Sequence, residues 1–168
     1  SDAVVVPAPD GDDGTLERVA QAAADFLTAL RPVPRTLGVS WGRTLRAVAE
    51  ALPDGWANGV TVVQLNGGVS LNRRSGGAAG LAVTIAQRAN GQVSLLPSPA
   101  ILERVETKRA IESDRTVAGI LEEAADAQAF LFTAGPCDAS SAHVENGYLS
   151  AEDVDELARR GAVGDVLG

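Results

Sequence analysis

The sequence contains no methionine, one cysteine, one histidine and, as Lys108, one lysine in 168 residues. One cysteine excludes an internal disulfide, and one cysteine with one histidine excludes an ordinary Cys/His zinc site. No apolar run approaches the ~18–20 residues that a membrane span needs, and the opening segment lacks the features of a signal peptide. We therefore predict no metal, no cofactor and no membrane partner. Because translation starts at methionine, we also expect Ser1 to be the start of an excised domain.

Basic residues are also few. Fourteen Lys+Arg against 22 Asp+Glu give a formal net charge of −8. Such a surface repels a phosphodiester backbone, so the chain by itself is a poor nucleic-acid binder. The apolar content of 45% and charged content of 21% are ordinary for a globular protein, and the length suits one domain.

The chain alternates short apolar runs with helical patterns. Residues 1–14 are predicted to be a linker or acidic arm, although Val4–Val6 could form an edge strand. Continuous apolar runs that alternate with helices favour an α/β fold with a parallel sheet covered on both faces. The predicted strands are 37–39, 60–65, 93–96 and 129–133, and 162–167 is a possible further strand. The first predicted helix starts with Thr15 as its N-cap, and two more cover 45–52 and 78–89. A long helical region covers 101–127 with a break near Asp114, and a last helix follows Ser150 as its cap.

Ligands of such sheets bind beyond the carboxyl ends of the strands. The segments expected there are 40–44, 66–77, 97–99 and 133–138. The first of these is the most informative, because Ser40 and Thr44 offer hydroxyls, Gly42 permits close approach and Arg43 adds a charge at the start of a helix. This pattern suits a phosphate, although an ordinary strand-to-helix turn has the same composition. The P-loop spacing is absent.

The second segment begins with Asn66, Gly67 and Gly68. The amide of Asn66 suits sugar hydroxyls, although a plain turn explains these three residues equally well. Arg73 and Arg74 precede a predicted helix and offer a second possible anion site.

Three further places in the sequence could carry reactive side chains, but we interpret each of them as structural. Lys108 lies on a charged helical pattern and is expected to be exposed rather than to form a Schiff base. Ser140, Ser141 and His143 lie too close in sequence for a ready catalytic geometry, so we interpret the segment as a mobile polar loop. Cys137 is expected to be a small packed or loop residue.

Several strings resemble the effector domain of SorC-type bacterial transcriptional regulators. They are Gly38–Thr44 (GVSWGRT), Val62–Val69 (VVQLNGGV), Leu96–Pro99 (LPSP), Asn146–Ser150 (NGYLS) and Gly161–Asp165 (GAVGD), and the resemblance runs from about Leu16 to Gly168.

The resemblance implies a Rossmann-like α/β unit, similar to phosphosugar isomerase and deaminase folds, that senses a phosphorylated sugar. It implies that residues 15–168 are an effector domain, incomplete at the carboxyl end, and that an upstream helix-turn-helix domain contacts DNA. It further implies a homo-oligomer, dimeric or tetrameric, in the cytoplasm. Since Asn66 stands where members with a covalently held effector have a lysine nearby, we expect reversible, noncovalent binding. The residues that match the ligand loops or flank them are Ser40, Trp41, Gly42, Arg43, Thr44, Asn66, Gly67, Gly68, Arg73 and Gly135.

Two other functions remain open on the sequence. A sugar-phosphate isomerase or deaminase would have the same fold, but it needs a positioned acid–base pair for which the chain has few candidates. A purely structural oligomerisation module would bind no ligand.

Overall fold

A computed structural model describes residues 3–8, 14–68, 78–145 and 147–166. The helices are α1 (Thr15–Ala29), α2 (Arg43–Ala51), α3 (Ala78–Arg88), α4 (Val105–Glu112), α5 (Arg115–Ala125), α6 (Ala142–Glu145) and α7 (Ala151–Arg159). The strands are β1 (Thr36–Val39), β2 (Thr61–Gln64), β3 (Gln92–Ser94), β4 (Ala129–Leu131), β5 (Ala134–Pro136) and β6 (Gly164–Val166).

The first four strands form one parallel sheet in the order β3-β2-β1-β4. Thr36 pairs with Thr61 and Leu37 with Ala129, so β1 lies at the centre between β2 and β4. For this strand order, the rule that crossovers between parallel strands are right-handed places the helices after β1 and β2 on one face and those between β3 and β4 on the other. The contacts agree, because α3 packs on β2 and β3, α1 packs on α2, and α5 packs on β1 and β2. The predicted parallel α/β sheet is confirmed.

The hydrophobic core lies between the sheet and the face covered by α1, α2 and α3. Its largest fully buried side chains come from β1, α2, the β2 region and α3, and are Leu37, Val39, Leu45, Val48, Leu52, Val60, Val62 and Ile85. Val63, on β2, is equally buried. The continuous apolar runs of β1 and β2 are therefore explained by burial on both faces.

The helices cover the edge strand β4 less completely than they cover β1 and β2. Phe130 and Phe132 are 50% and 48% exposed. The expectation of helices on both faces thus describes β1 and β2 better than the edge strand.

The carboxyl-terminal part forms a second, two-stranded sheet in which β5 and β6 pair antiparallel. The predicted strand within 162–167 is confirmed as β6. The interpretation of the Ser140–His143 region as a mobile polar loop is wrong, because α6 begins at Ala142 and both Ser141 and His143 are buried.

The helix starts follow the sequence with one exception. Asp114 caps α5 by accepting bonds from Thr116 N and Val117 N, and Ser150 caps α7 in a capping box with Asp153. Thr15 is not a cap: it is the first residue of α1, and Gly14 occupies the N-cap position with a φ of 87°.

The remaining structural predictions concern the arm and two single residues. Residues 3–8 form neither helix nor strand, so the alternative of an edge strand at Val4–Val6 is wrong. Lys108 is exposed on α4, as predicted, and pairs with Glu112 at 3.7 Å. Cys137 is a half-buried loop residue.

Candidate functional site

An open cleft lies beyond the carboxyl ends of β1 and β2. It contains about 610 Å³ of space, part of it open to solvent. Three of the four segments predicted at this edge contribute to it. The lining residues are Ser40, Trp41, Gly42, Arg43, Thr44, Asn66, Thr133, Ala134, Gly135, Pro136, Ser140, Ala142, His143 and Asp165.

The loop between β1 and α2 provides one wall. Gly42 has φ 147° and ψ 169°, a conformation that only glycine adopts readily, and it is the N-cap of α2. Within the described residues, no side chain caps this helix, so the N–H groups at its start have no side-chain acceptor there. Arg43 and Thr44, the first two helical residues, also line the cleft. A helix N-terminus with an arginine and a hydroxyl beside it favours an anion.

A side-chain hydrogen bond joins the first loop to the second. Ser40 Oγ donates to Asn66 Oδ1 at 3.2 Å, and the backbone N–H of Leu65 donates to Val39 O at 2.9 Å. Both loops follow adjacent parallel strands, which is why residues 26 positions apart meet here. Asn66 thus reaches the cleft with its side chain oriented by Ser40.

Gly67 supports the second loop by allowing another segment to pack against it. A Cβ at this position would overlap the carbonyl oxygens of Ser98 and Pro99, so the absence of a side chain lets the 97–99 segment pack against the second loop. Gly67 is buried, and neither it nor Gly68 lines the cleft. Arg73, predicted for a second anion site with Arg74, lies outside the described residues.

The opposite wall comes from the carboxyl-terminal part of the chain. Asp165, on β6, lies directly against Gly135 of β5. Its Oδ2 is 3.2 Å from His143 Nε2, and the side chain of His143 is only 8% exposed. The site therefore contains a carboxylate–imidazole pair on the wall opposite the 40–44 loop, which carries Arg43.

Sequence reasoning missed His143 and Asp165 as site residues. Burial of His143 depends on contacts that no local pattern reveals. The one available signal was Asp165 itself, an isolated carboxylate in the otherwise apolar run from 162 to 167.

Contacts among three aromatic rings connect the two walls of the cleft. The ring centroids of Trp41 and His143 are 5.7 Å apart, and those of Trp41 and Tyr148 are 6.2 Å apart. Burial raises the pKa of the Tyr148 hydroxyl above its ordinary value, while a hydrogen bond with the backbone of Ala100 opposes that rise. The tyrosine thereby links the aromatic cluster to the segment after β3.

Within the described residues, no group of three or more His, Cys, Asp or Glu side chains could hold a metal ion. No helix in that part of the chain is both long and apolar enough to span a bilayer.

Comparison with known proteins assigns this architecture to a family. The family model described as "Putative sugar-binding domain" matches residues 1–168. The Deoxyribonucleoside regulator of Bacillus subtilis (strain 168) is 29% identical over 163 residues, which cover 97% of this chain and 51% of that protein.

Solved structures give the same result. A domain of a possible sugar-binding transcriptional regulator from Arthrobacter aurescens TC1 has a TM-score of 0.78 at 32% identity, covering 97% of this chain and 64% of that one. The full-length sorbitol operon regulator SorC from Klebsiella pneumoniae has a TM-score of 0.81 at 25% identity, covering 98% of this chain and 55% of that one. The chain thus spans between about half and two thirds of these relatives, all of which are named as regulators.

Proposed function

The chain belongs to this sugar-binding domain family, with SorC- and DeoR-type regulators among its relatives, and we propose that its cleft binds a phosphorylated sugar reversibly and so controls DNA binding by a transcriptional regulator. The observation that carries the proposal is the start of α2 in the cleft wall, which no side chain of the described residues caps. Since the relatives are regulators rather than enzymes, a signalling role is favoured over the isomerase or deaminase chemistry that the fold class also supports.

The two walls suit the two ends of such a ligand. The phosphate would lie at the start of α2, where Arg43 and Thr44 line the cleft and backbone N–H groups begin the helix. The sugar hydroxyls would lie towards Asn66 and Asp165, because amide and carboxylate oxygens accept hydrogen bonds from hydroxyl groups. Seven of the ten residues expected at the ligand line the cleft: Ser40, Trp41, Gly42, Arg43, Thr44, Asn66 and Gly135.

Regulation would follow by population shift. A ligand that contacts both the 40–44 loop and the β5–β6 wall stabilises the arrangement in which these walls are close, and this arrangement then differs in oligomer contacts and operator affinity. We propose a homo-oligomer in the cytoplasm, with DNA contacted by another domain, since the net charge of −8 disfavours DNA binding by this chain. Size-exclusion chromatography with light scattering, with and without ligand, tests the oligomer.

The first experiment is a thermal-shift screen. The probes are ribose 5-phosphate, 2-deoxyribose 5-phosphate, glucose 6-phosphate and sorbitol 6-phosphate, each beside its unphosphorylated form. A compound that binds the native state raises the melting temperature by mass action. A shift with a phosphorylated compound and none with its free form is the expected result. Equal shifts for both forms would contradict a phosphate site.

A pair of double variants then locates the phosphate. Arg43→Ala with Thr44→Ala should weaken the phosphorylated compound at least 10-fold, because a charge-assisted contact and a hydroxyl are lost. The chain provides a matched control in Arg115→Ala with Thr116→Ala, since these are the first two residues of α5, a helix already capped by Asp114 and outside the cleft. Calorimetric titration should show unchanged affinity in the control. Equal affinity in both double variants would remove the phosphate from the α2 start.

A further inference from the structure

Two polar atoms beside the cleft lack hydrogen-bond partners within the described part of the chain. They are Trp41 Nε1 and His143 Nδ1, and both are buried. Both residues line the cleft, and their rings are in edge contact. Buried polar groups in folded proteins are almost always bonded, so two unmet groups on neighbouring rings point to a missing partner.

The hydrogen-bonding roles of these two atoms follow from their chemistry. His143 Nε2 lies 3.2 Å from the Asp165 carboxylate, which only accepts, so Nε2 carries the hydrogen. In the neutral imidazole, Nδ1 then offers a lone pair and accepts. The indole N–H of Trp41 only donates. One donor and one acceptor thus lie, buried, on two neighbouring rings of residues that line the cleft.

We propose that a single hydroxyl group of the sugar accepts from Trp41 Nε1 and donates to His143 Nδ1. This inference rests on the proposed function and adds to it the residues that recognise the sugar portion. A hydroxyl both donates and accepts, whereas an ionised phosphate oxygen would oppose the lone pair on Nδ1 and an ammonium group would oppose the indole N–H. Asp165 acts as a positioning residue, because its bond to Nε2 sets which nitrogen of His143 accepts.

The position of Trp41 supports the assignment. It immediately precedes Gly42 and Arg43, so a ligand with its phosphate at the start of α2 has its sugar carbons near the indole. Both nitrogens are shielded from solvent in the unliganded chain. The contact therefore requires a side-chain adjustment, which is common on ligand binding.

Two substitutions remove the two hydrogen-bonding atoms separately. Trp41→Phe keeps an aromatic ring without the N–H. His143→Gln keeps a donor that can reach Asp165 but has no group at the Nδ1 position, whereas His143→Asn places an amide near Nδ1 and serves as the rescue variant. Trp56→Phe is the matched control, since its Nε1 donates to Ile85 O at 3.2 Å and it does not line the cleft.

The readout is the dissociation constant, by calorimetric titration, of inorganic phosphate and of whichever probe binds best in the screen above. Trp41→Phe and His143→Gln should each weaken the sugar phosphate about 5- to 10-fold, as expected for one lost hydrogen bond, and inorganic phosphate less than about 2-fold. His143→Asn should recover part of the loss, and Trp56→Phe should change neither constant.

Three results would overturn the inference, and they have different meanings. Unchanged affinity for the sugar phosphate in both variants would mean that no ligand hydroxyl contacts these atoms. Equal weakening of sugar phosphate and inorganic phosphate would assign the two rings a structural role in shaping the 40–44 loop. Failure of the unsubstituted chain to bind any phosphorylated probe would contradict the proposed function and this inference with it.

Discussion

Asp165 accepts a hydrogen bond from His143 at 3.2 Å, and this contact joins β6 to α6. It holds together two segments that are 22 residues apart and that form one wall of the cleft. The strand that carries Asp165 is only three residues long, so its position depends on such side-chain contacts as well as on pairing with β5. The wall opposite the 40–44 loop is therefore held in place by tertiary contacts.

Removing the carboxylate should destabilise the fold. Asp165→Ala leaves the buried Nε2–H of His143 without its partner, which costs about 1–3 kcal/mol in the free energy of unfolding. Asp165→Asn keeps an oxygen acceptor at the same place and should lose less. Urea denaturation of the three proteins measures the difference. If the alanine and asparagine variants were equally stable, the bond to His143 would contribute little to the fold.

The close approach of the second loop to the 97–99 segment gives another stability prediction. Gly67→Ala forces a methyl group into the carbonyl oxygens of Ser98 and Pro99, so the backbone must shift, at a cost of about 1–3 kcal/mol. Gly119→Ala is the matched control: Gly119 lies inside α5, and a Cβ there meets no atom within 4 Å. The control should be more stable than the parent chain by about 0.5–1 kcal/mol, because alanine favours the helix.

Thermal or urea unfolding of both glycine variants provides the comparison. A Gly67→Ala variant as stable as the parent would mean that the 97–99 segment moves away at no cost. A sugar-phosphate titration of the same variant would then show whether the position of Asn66 in the cleft depends on that packing.

Much of the first wall could be predicted from the sequence. Apolar runs identified β1 and β2, and the rule that parallel strands end at one edge predicted that the 40–44 loop and Asn66 lie together. The helix break near Asp114 and the Ser150 cap were also predicted. In the structure both side chains cap a helix, and a capping side chain acts on N–H groups only two or three residues away. Local interactions of this kind are readable from local sequence.

The second wall could not be predicted in the same way. β5 and β6 are three residues each and contain glycine or proline, so they show no alternation of apolar and polar residues. His143 is buried by Trp41 and Tyr148, which come from distant and nearby parts of the chain, respectively. A polar sequence such as that of residues 138–143 is typical of an exposed loop, and only tertiary packing reverses that expectation. The Asp165–His143 pair was missed for this reason.

The capping box of α7 predicts a pH dependence. Ser150 donates to Asp153 Oδ2 from its hydroxyl at 2.7 Å and from its backbone N–H at 2.8 Å, and these bonds lower the pKa of the Asp153 carboxyl below its ordinary value, the hydroxyl contributing most. The folded state therefore favours the ionised form. The associated stability is present above the ordinary aspartate pKa of about 3.9 and is lost as the pH falls through the lower pKa of the folded chain.

Asp153→Asn removes the charge while keeping an amide in its place. The parent chain should be more stable than this variant at neutral pH, and the difference should shrink as the pH falls below about 4. Urea denaturation at several pH values between about 2.5 and 7 measures it. Asp155→Asn, on the same helix and outside the capping box, is the control for the change in net charge. Asp138, whose pKa the hydroxyl and backbone N–H of Ser140 also lower, is present in every protein compared, so its contribution cancels. A parent–variant difference that stayed constant down to the lowest pH would mean that the Asp153 charge does not stabilise the start of α7.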